Sequence, residues 1–174
     1  AIRHLLGLSP HQPLPAADVR LGTTRGTNAL LERKGARTAF VTTKGFADVL
    51  LIGNQDRPRL FELAIRKPEP LFHAVAEIDE RLDALGQVLQ IPQVEQVRLA
   101  LQSLRDAGCE SLAVCLLHAY TNPAHEDLVE QIARDEGFAQ ISLSNRVSPT
   151  IKIVSRGDTT VMDAYLNPVL RDYV

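Results

Sequence analysis

The sequence predicts an α/β fold in which a mixed sheet carries flanking helices. Three apolar stretches have the length and composition of buried strands, at residues 37–43, 111–120 and 138–144. Two segments between and after them have the 3.6-residue apolar spacing of helices. Alternation of this kind packs helices on a sheet. With 174 residues, the chain is long enough for one compact domain, and we expect residues 1–174 to form it.

The composition is ordinary for a globular protein and gives no sign of a polyanionic partner. Apolar residues make up 45% of the chain, charged residues 23%, and the formal net charge is -2. We expect no nucleic-acid or membrane partner and a cytoplasmic location. Cys109 and Cys115 lack the spacing of a zinc or redox motif, so we expect two buried thiols in a reducing compartment and predict no metal site.

The first half of the chain begins with a turn-rich lead-in over residues 1–15, followed by a short candidate strand at 19–21. Thr23 or Thr24 is placed to cap a helix that Gly35 would stop. The strand at 37–43 and a helix or helical turn at 44–53 follow. Residues 54–91 are predicted to be an excursion: a proline-rich exposed stretch, then a β-hairpin in which "AVAEIDERL" and "QVLQI" flank "DALG".

The second half has clearer patterns. Residues 92–107 predict a helix with Val94, Val97, Leu101 and Leu104 on one face and Gly108 just after its end. The strand at 111–120 is apolar enough to be buried on both faces. Residues 122–136 predict another helix, and residues 138–144 another strand. A last helix is predicted from Asp158 onward, with Asp158 as its N-cap and Pro168 kinking or restarting it.

The run "LGTTRGTNALLERKGA" is the first candidate site. A glycine followed by hydroxyl groups at a helix start offers backbone N–H groups and a partial positive charge, both of which attract anions. The candidate residues are Thr23, Thr24, Thr27 and Asn28. The spacing matches neither the P-loop nor the dinucleotide fingerprint, so on spacing alone an ordinary capped helix is favoured.

Four further side chains are candidates for binding. Gln55 and Arg57 lie in "IGNQDRP", where Arg57 could clamp a carboxylate or phosphate, although a solvated loop is an equal alternative. His118 follows the carboxyl end of a predicted central strand, the usual place for sites in open α/β sheets, but a lone histidine there is more often structural. Arg156 lies in "SRGDTT". His125, in the first turn of a helix, is expected on the surface.

Four segments together resemble the hydantoinase A / 5-oxoprolinase family. They are "GTTRGTNALLERKGARTAFVTTKGFADVLLIGNQDRP", "IDERLDALGQVL", "VCLLHAYTNPAHE" and "RGDTTVMDAYLNPVL", and they occur in the family's order. The resemblance implies an actin-like (ribonuclease H-like) ATPase fold. It also implies ATP- and Mg-dependent opening of a cyclic amide such as a hydantoin or 5-oxoproline, and a B-type partner subunit. Acetone and acetophenone carboxylase subunits share the same motifs.

The chain also departs from the family pattern. The "DxGG" phosphate-binding motifs do not occur in this sequence, Asp163 replaces the family's asparagine, and Thr150, Ile153 and Ser155 stand where glutamates are usual. We therefore expect a fragment of the N-terminal domain that is inactive alone, with catalytic residues unknown. The resemblance implies that the eight candidates named above line a substrate or phosphate cleft. A subunit-interaction module, contacting through residues 57–72 with Phe61, Leu63 and Leu71, is the alternative.

Overall fold

The computed structural model describes residues 2–16, 22–54, 61 and 68–171. Its elements follow in chain order: α1 (Ile2–Leu5), α2 (Arg25–Leu31), β1 (Thr38–Thr43), α3 (Val49–Ile52), β2 (Phe72–Ile78), β3 (Arg81–Leu82), β4 (Val88–Gln90), α4 (Val94–Asp106), β5 (Ser111–Cys115), α5 (Ala124–Asp135), β6 (Gln140–Leu143), α6 (Ser144–Val147) and α7 (Ile153–Arg171). None of the helices within these described residues is both long and apolar enough to cross a bilayer. The predicted strand at 19–21 lies outside them.

The described strands form a four-stranded sheet in the order β2-β1-β5-β6, and every neighbouring pair is parallel. The α/β prediction with flanking helices is confirmed. Antiparallel pairing among the described strands occurs in the separate β3–β4 hairpin. The central strands β1 and β5 are buried along their whole length, as their continuous apolar sequences predicted.

Two apolar layers cover the two faces of the sheet. Because successive strand residues point to opposite faces, Leu112 and Val114 pack with α4 and α5, while Ala113 and Cys115 pack against α7. The predicted helices α4 and α5 are confirmed, and Gly108 and Gly137 adopt the left-handed backbone that ends each of them. Within α4, Val94 departs from prediction because it is exposed. Both cysteines are free and buried.

The predicted hairpin over residues 74–91 is wrong in its first arm. Residues 72–78 form β2, which pairs in parallel with β1 at the edge of the main sheet, and only residues 81–90 form the hairpin. The alternating apolar pattern fits both arrangements, because Ala74 and Ala76 pack on the α4 face and Phe72 and Val75 on the opposite face. The predicted excursion therefore contains a strand of the main sheet. Residues 55–60 and 62–67 lie outside the described residues.

The last helix begins five residues earlier than predicted, at Ile153, so Asp158 lies inside α7 and is not its N-cap. Pro168 does not interrupt the helix, which runs on to Arg171. Pro168 cannot donate to the carbonyl of Ala164, four residues earlier. The Ser111 hydroxyl donates to that carbonyl instead, at 2.7 Å, so a side chain of β5 replaces the hydrogen bond that the proline removes.

Candidate functional site

Polar side chains meet at the carboxyl ends of the parallel strands. From β1 the chain crosses to β2 on one side, whereas β5 lies on the other side of β1, so the order of strands reverses between β1 and β5. In open α/β sheets, ligands bind outside the carboxyl ends of the strands at such a switch point. Two groups of residues joined by hydrogen bonds lie there, and together we call them the carboxyl-edge network. It comprises the side chains of Thr43, Glu80, His125, Glu126, Ser144 and Arg156 and the backbones of Leu116 and Leu117.

The first group is centred on Glu80, which follows β2 and is 1% exposed. His125 Nδ1 lies 2.5 Å from one of its carboxylate oxygens, and the Thr43 hydroxyl donates to the other. Thr43 Oγ1 in turn accepts a hydrogen bond from the Leu117 backbone N–H at 2.8 Å. Four elements are joined in this way: the ends of β1, β2 and β5 and the first turn of α5. The prediction that His125 lies on the surface is wrong because Glu80 binds and buries it.

The second group joins two buried charges through a hydroxyl. Glu126 accepts hydrogen bonds from the Ser144 hydroxyl at 2.6 Å and from the backbone N–H groups of Leu116 and Asn145, each at 2.9 Å. Arg156 Nε donates to Ser144 Oγ at 3.0 Å. Its other nitrogens donate to the carbonyls of Thr150 at 2.6 Å and Leu116 at 2.7 Å. Every guanidinium nitrogen therefore has a protein acceptor.

Burial and charge act in opposite directions on Glu126. Burial raises the pKa of Glu126, while the hydrogen bonds from Ser144 and the two backbone N–H groups, together with the Arg156 charge, lower it. Burial likewise raises the pKa of the neighbouring Cys115 thiol to about 11, so this cysteine stays protonated near neutral pH and is a poor nucleophile. The chemistry that this edge offers is hydrogen bonding and positioning.

His118 lies two residues after Leu116, half-buried, on the turn that leaves β5. Its φ of 59° is in the left-handed region, which among non-glycine residues of the described chain only Arg33 shares. Such backbone costs a residue with a Cβ on the order of 1–2 kcal/mol and clusters at functional sites. The Tyr120 hydroxyl lies 3.5 Å from His118 Nδ1, the outer limit of a hydrogen bond. Neighbouring structure therefore holds His118 in place.

The threonine run forms a second, separate surface, which we call the α2 groove. Thr23, Thr24 and Asn28 line an open groove of about 370 Å³ together with Glu32, Lys34 and Val169. Thr24 occupies the N-cap position without a side-chain cap bond, and Thr23 Oγ1 accepts from the Arg25 N–H at 3.2 Å. Thr27 is exposed but is not among the residues that line the groove. Thr24 and Asn28 are thus exposed at the groove, although their backbone carbonyls accept hydrogen bonds within the helix.

One ion pair lies on the wall of this groove. Lys34 Nζ is 2.7 Å from Glu32, and that hydrogen bond raises the pKa of Lys34 and lowers the pKa of Glu32. Both groups are exposed, so the pair is screened by solvent. Because the two charges offset each other, an anion in the groove would meet the hydroxyl, amide and backbone N–H groups together with Arg25, which also lines the groove.

The structure does not bring the predicted site residues together. Arg156 lies near the start of α7, and Val169 of the α2 groove lies near its end. At about 1.5 Å of rise per residue, the 13 residues between them span about 20 Å. His118 is close to Arg156 through Tyr120, whose ring lies 5.3 Å from the guanidinium carbon. The carboxyl-edge network and the α2 groove are therefore distinct, and Gln55 and Arg57 lie outside the described residues.

Sequence reasoning missed most of the carboxyl-edge network. Thr43, Glu80, Glu126 and Ser144 each follow a strand or open a helix, the same signal that pointed to His118. Applied to every strand end, that signal would have found Thr43, Glu80 and Ser144. The pairing of Glu80 with His125 spans 45 residues of sequence and has no local signature. No group of three or more His, Cys, Asp or Glu side chains able to hold a metal ion occurs within the described part of the chain.

The comparisons with known proteins agree with the resemblance in the sequence. The profile of the hydantoinase/oxoprolinase N-terminal region matches residues 1–137. The chain belongs to this family. The 5-oxoprolinase of Saccharomyces cerevisiae is 40% identical over 209 aligned residues, covering 99% of this chain and 16% of the yeast protein. The acetophenone carboxylase gamma subunit of Aromatoleum aromaticum is 37% identical, covering 92% of this chain and 24% of that subunit.

Among solved structures, the ATP-dependent caprolactamase from Pseudomonas jessenii matches with a TM-score of 0.80 and 25% identity, over 99% of this chain and 26% of the caprolactamase chain. The hydantoinase/oxoprolinase chain described here thus spans only about a sixth to a quarter of the length of these proteins. Nearly all of it nevertheless aligns with each of them.

Proposed function

We propose that this chain is part of an ATP-dependent hydrolase that opens cyclic amides of the hydantoin or 5-oxoproline type. The observation that carries the proposal is the match of 99% of the chain both to a 5-oxoprolinase and to an ATP-dependent caprolactamase. Hydantoin, 5-oxoproline and caprolactam all contain a cyclic amide. An amide carbonyl is a weak electrophile, and ATP supplies activation by phosphorylating its oxygen, which makes the carbon open to attack by water.

In this proposal the α2 groove contributes one wall of the nucleotide or substrate cleft. Its support is the exposure of Thr23, Thr24 and Asn28 beside the start of α2, where hydroxyl, amide and N–H groups can bind phosphate or carbonyl oxygens. Thr27 would lie at the rim. The described residues offer no cluster of ligands for Mg²⁺, so the proposal assigns the metal to no residue of this chain. Gln55 and Arg57 remain predicted substrate contacts.

His118 is the proposed contact at the carboxyl edge. Its support is its place at the switch point between β1 and β5 and its left-handed backbone. Arg156 was predicted to contact substrate as well. With all of its guanidinium nitrogens bonded inside the protein, it is better suited to hold its neighbours in place than to bind a ligand.

The test uses the full-length parent protein, with ATP and either 5-oxoproline, hydantoin or caprolactam. We expect ADP release that depends on one of these amides, together with the ring-opened product. The 174-residue chain alone should show neither. Amide-dependent ATP turnover by the chain alone would contradict the assignment of the phosphate-binding part to the rest of the protein.

The role of the α2 groove has its own prediction. Replacing Thr24 and Asn28 together with alanine in the full-length protein should lower turnover by about tenfold or more, since each lost hydrogen bond to a charged group is worth about 1.5–3 kcal/mol. Thr159→Ala is the matched control, because Thr159 is exposed on α7 and bonds only the Ser155 carbonyl of its own helix. Turnover of the double variant within twofold of the wild type would remove the groove from the cleft.

A carboxylase is the second candidate, favoured by the 37% identity to the acetophenone carboxylase gamma subunit. Substrate profiling separates the two: bicarbonate-dependent ATP consumption with a ketone, and none with a cyclic amide, would select the carboxylase.

The acetophenone carboxylase gamma subunit is by name one subunit of a larger enzyme, which supports a partner subunit of the B type for this protein too. Phe61 is 93% exposed and suits such a contact. A pull-down with and without residues 57–72 tests it.

A further inference from the structure

His118 depends on its surroundings, because a left-handed backbone is unfavourable for a residue with a Cβ. The peptide groups before it are fixed by side chains from three other elements. Leu117 N–H donates to Thr43 of β1, and Leu116 N–H donates to Glu126 of α5. The Leu116 carbonyl accepts from Arg156 of α7 at 2.7 Å. The backbone N–H and the backbone carbonyl of Leu116 are thus held by two buried side chains of opposite charge, Glu126 and Arg156.

The same arginine also reaches His118 through a second route. Its guanidinium carbon lies 5.3 Å from the centre of the Tyr120 ring, in cation–π contact. The rings of Tyr120 and His118 are 6.0 Å apart and inclined by 60°, with the Tyr120 hydroxyl nearest to His118 Nδ1. Arg156 therefore contacts both the backbone that precedes His118 and the aromatic ring that lies beside its imidazole.

We propose that Arg156 is a positioning residue, which sets the backbone of His118 through the Leu116 carbonyl and the orientation of its imidazole through Tyr120. The Tyr120 hydroxyl engages Nδ1 and leaves Nε2 as the nitrogen that meets a ligand. Ser144 and Glu126 complete the arrangement by holding the guanidinium in place. The consequence of this arrangement for catalysis rests on the proposed contact between His118 and the substrate, whereas the arrangement itself can be tested without substrate.

The experiment is NMR on the whole 174-residue chain, which has five histidines, so that His118→Gln assigns the ring signals by their loss. The ring nitrogen shifts report the tautomer of His118, and its backbone shifts report φ. Arg156→Lys keeps a charge but cannot form all three hydrogen bonds and the stacked contact at once. In this variant we expect the chemical shifts of the His118 ring nitrogens to move toward the average of the two tautomers. We also expect the backbone chemical shifts of His118 to leave the values typical of a left-handed residue.

Two tyrosine variants keep the test decisive if Arg156→Lys does not fold. Tyr120→Phe removes only the hydroxyl and should alter the ring shifts alone, whereas Tyr120→Leu also removes the aromatic ring and should alter them further. Arg134→Lys, an exposed arginine of α5, is the control and should change nothing at His118. Unchanged His118 signals in both tyrosine variants, with intact sheet amides, would overturn the inference. Because no activity is measured, that result would leave the proposed hydrolase function standing.

Discussion

The two ends of α7 carry opposite kinds of polar surface. At its start, Arg156 is fully buried and bonded to Ser144, Thr150 and Leu116. At its end, the helix borders the α2 groove, where Thr24 and Asn28 are exposed and the N-cap side chain makes no capping bond. By sequence, the threonines and Arg156 were all predicted to contact a ligand, and the threonines were favoured. The structure separates them into residues whose bonds are used inside the protein and residues that remain available to a ligand.

This difference has an energetic consequence. Buried charged side chains whose polar atoms are all hydrogen-bonded favour a single arrangement of the core. Removal of one of them leaves the opposite charge buried without its partner. Exposed hydroxyl groups contribute little to stability, so their presence at a groove has to be accounted for by function or by chance. Variants at the start of α7 should therefore affect folding first, and variants of the exposed groove side chains should affect activity with little effect on folding.

The largest effect is expected from Arg156→Met, which keeps an unbranched side chain but removes the guanidinium group and its charge. The Leu116 and Thr150 carbonyls lose their donor, and Glu126 stays buried without a nearby cation. We expect the free energy of unfolding to fall by about 3–5 kcal/mol, measured by urea denaturation. Arg134→Gln removes an exposed arginine from Glu130, which keeps Arg146 as a second partner at 2.7 Å, so this variant should cost less than about 1 kcal/mol. If both variants lost the same free energy of unfolding, the buried Arg156 would contribute no more to stability than an exposed arginine.

A pair of glycine variants tests the packing that forms the α2 groove. A Cβ on Gly35 would overlap the Tyr165 ring of α7, whereas a Cβ on Gly26 would meet only Leu170, at an ordinary 3.6 Å. Gly35→Ala should therefore destabilise the chain by about 1–3 kcal/mol. Gly26→Ala lies within α2 and should be neutral or stabilising by up to about 1 kcal/mol. Thermal unfolding of both variants distinguishes these outcomes, and loss of stability in Gly26→Ala would show that the groove is packed differently.

Elements whose stability is local or strongly patterned were predictable from the sequence. The helix α4 combines an amphipathic pattern with Gly108 at its end, and β5 is continuously apolar because both of its faces are covered. Both are confirmed. The alternating apolar pattern of β2 was recognised as that of a strand. Such a pattern does not identify the neighbouring strand, so the parallel pairing with β1 was missed.

The candidate site was predictable only in part, for the same physical reason. His118 follows from its position after a central strand. The burial of His125 depends on Glu80, which is distant in sequence, and the start of α7 at Ile153 depends on tertiary bonds of Arg156 that no capping pattern reveals. The α2 groove and the buried Arg156 lie at opposite ends of α7, about 20 Å apart along the helix, and this separation depends on how α7 packs. Sequence patterns identify polar clusters but not the distance between them.

The smallest effect is expected at Asp158, a carboxylate in the first half of α7 between the two polar regions. Burial raises the pKa of Asp158 above its usual 3.8, although the residue is partly exposed, so solvent weakens the effect. A folded-state pKa above the unfolded one means that the folded chain binds more protons, so the contribution of Asp158 to stability falls as pH rises from about 3.8. Asp158→Asn removes this dependence.

Asp158→Asn should consequently raise the melting temperature slightly at pH 7 relative to the wild type, with a smaller gain near pH 4, where a larger share of the wild-type carboxyl is protonated than at pH 7. The matched control is Glu110→Gln, an exposed carboxylate in the loop before β5, which should show no such trend. A gain for Asp158→Asn that is equal at both pH values would mean that burial does not act on the charge. If the gain instead fell with rising pH, Asp158 would be stabilised as an anion, and the start of α7 would then hold a favourable negative charge beside the buried Arg156.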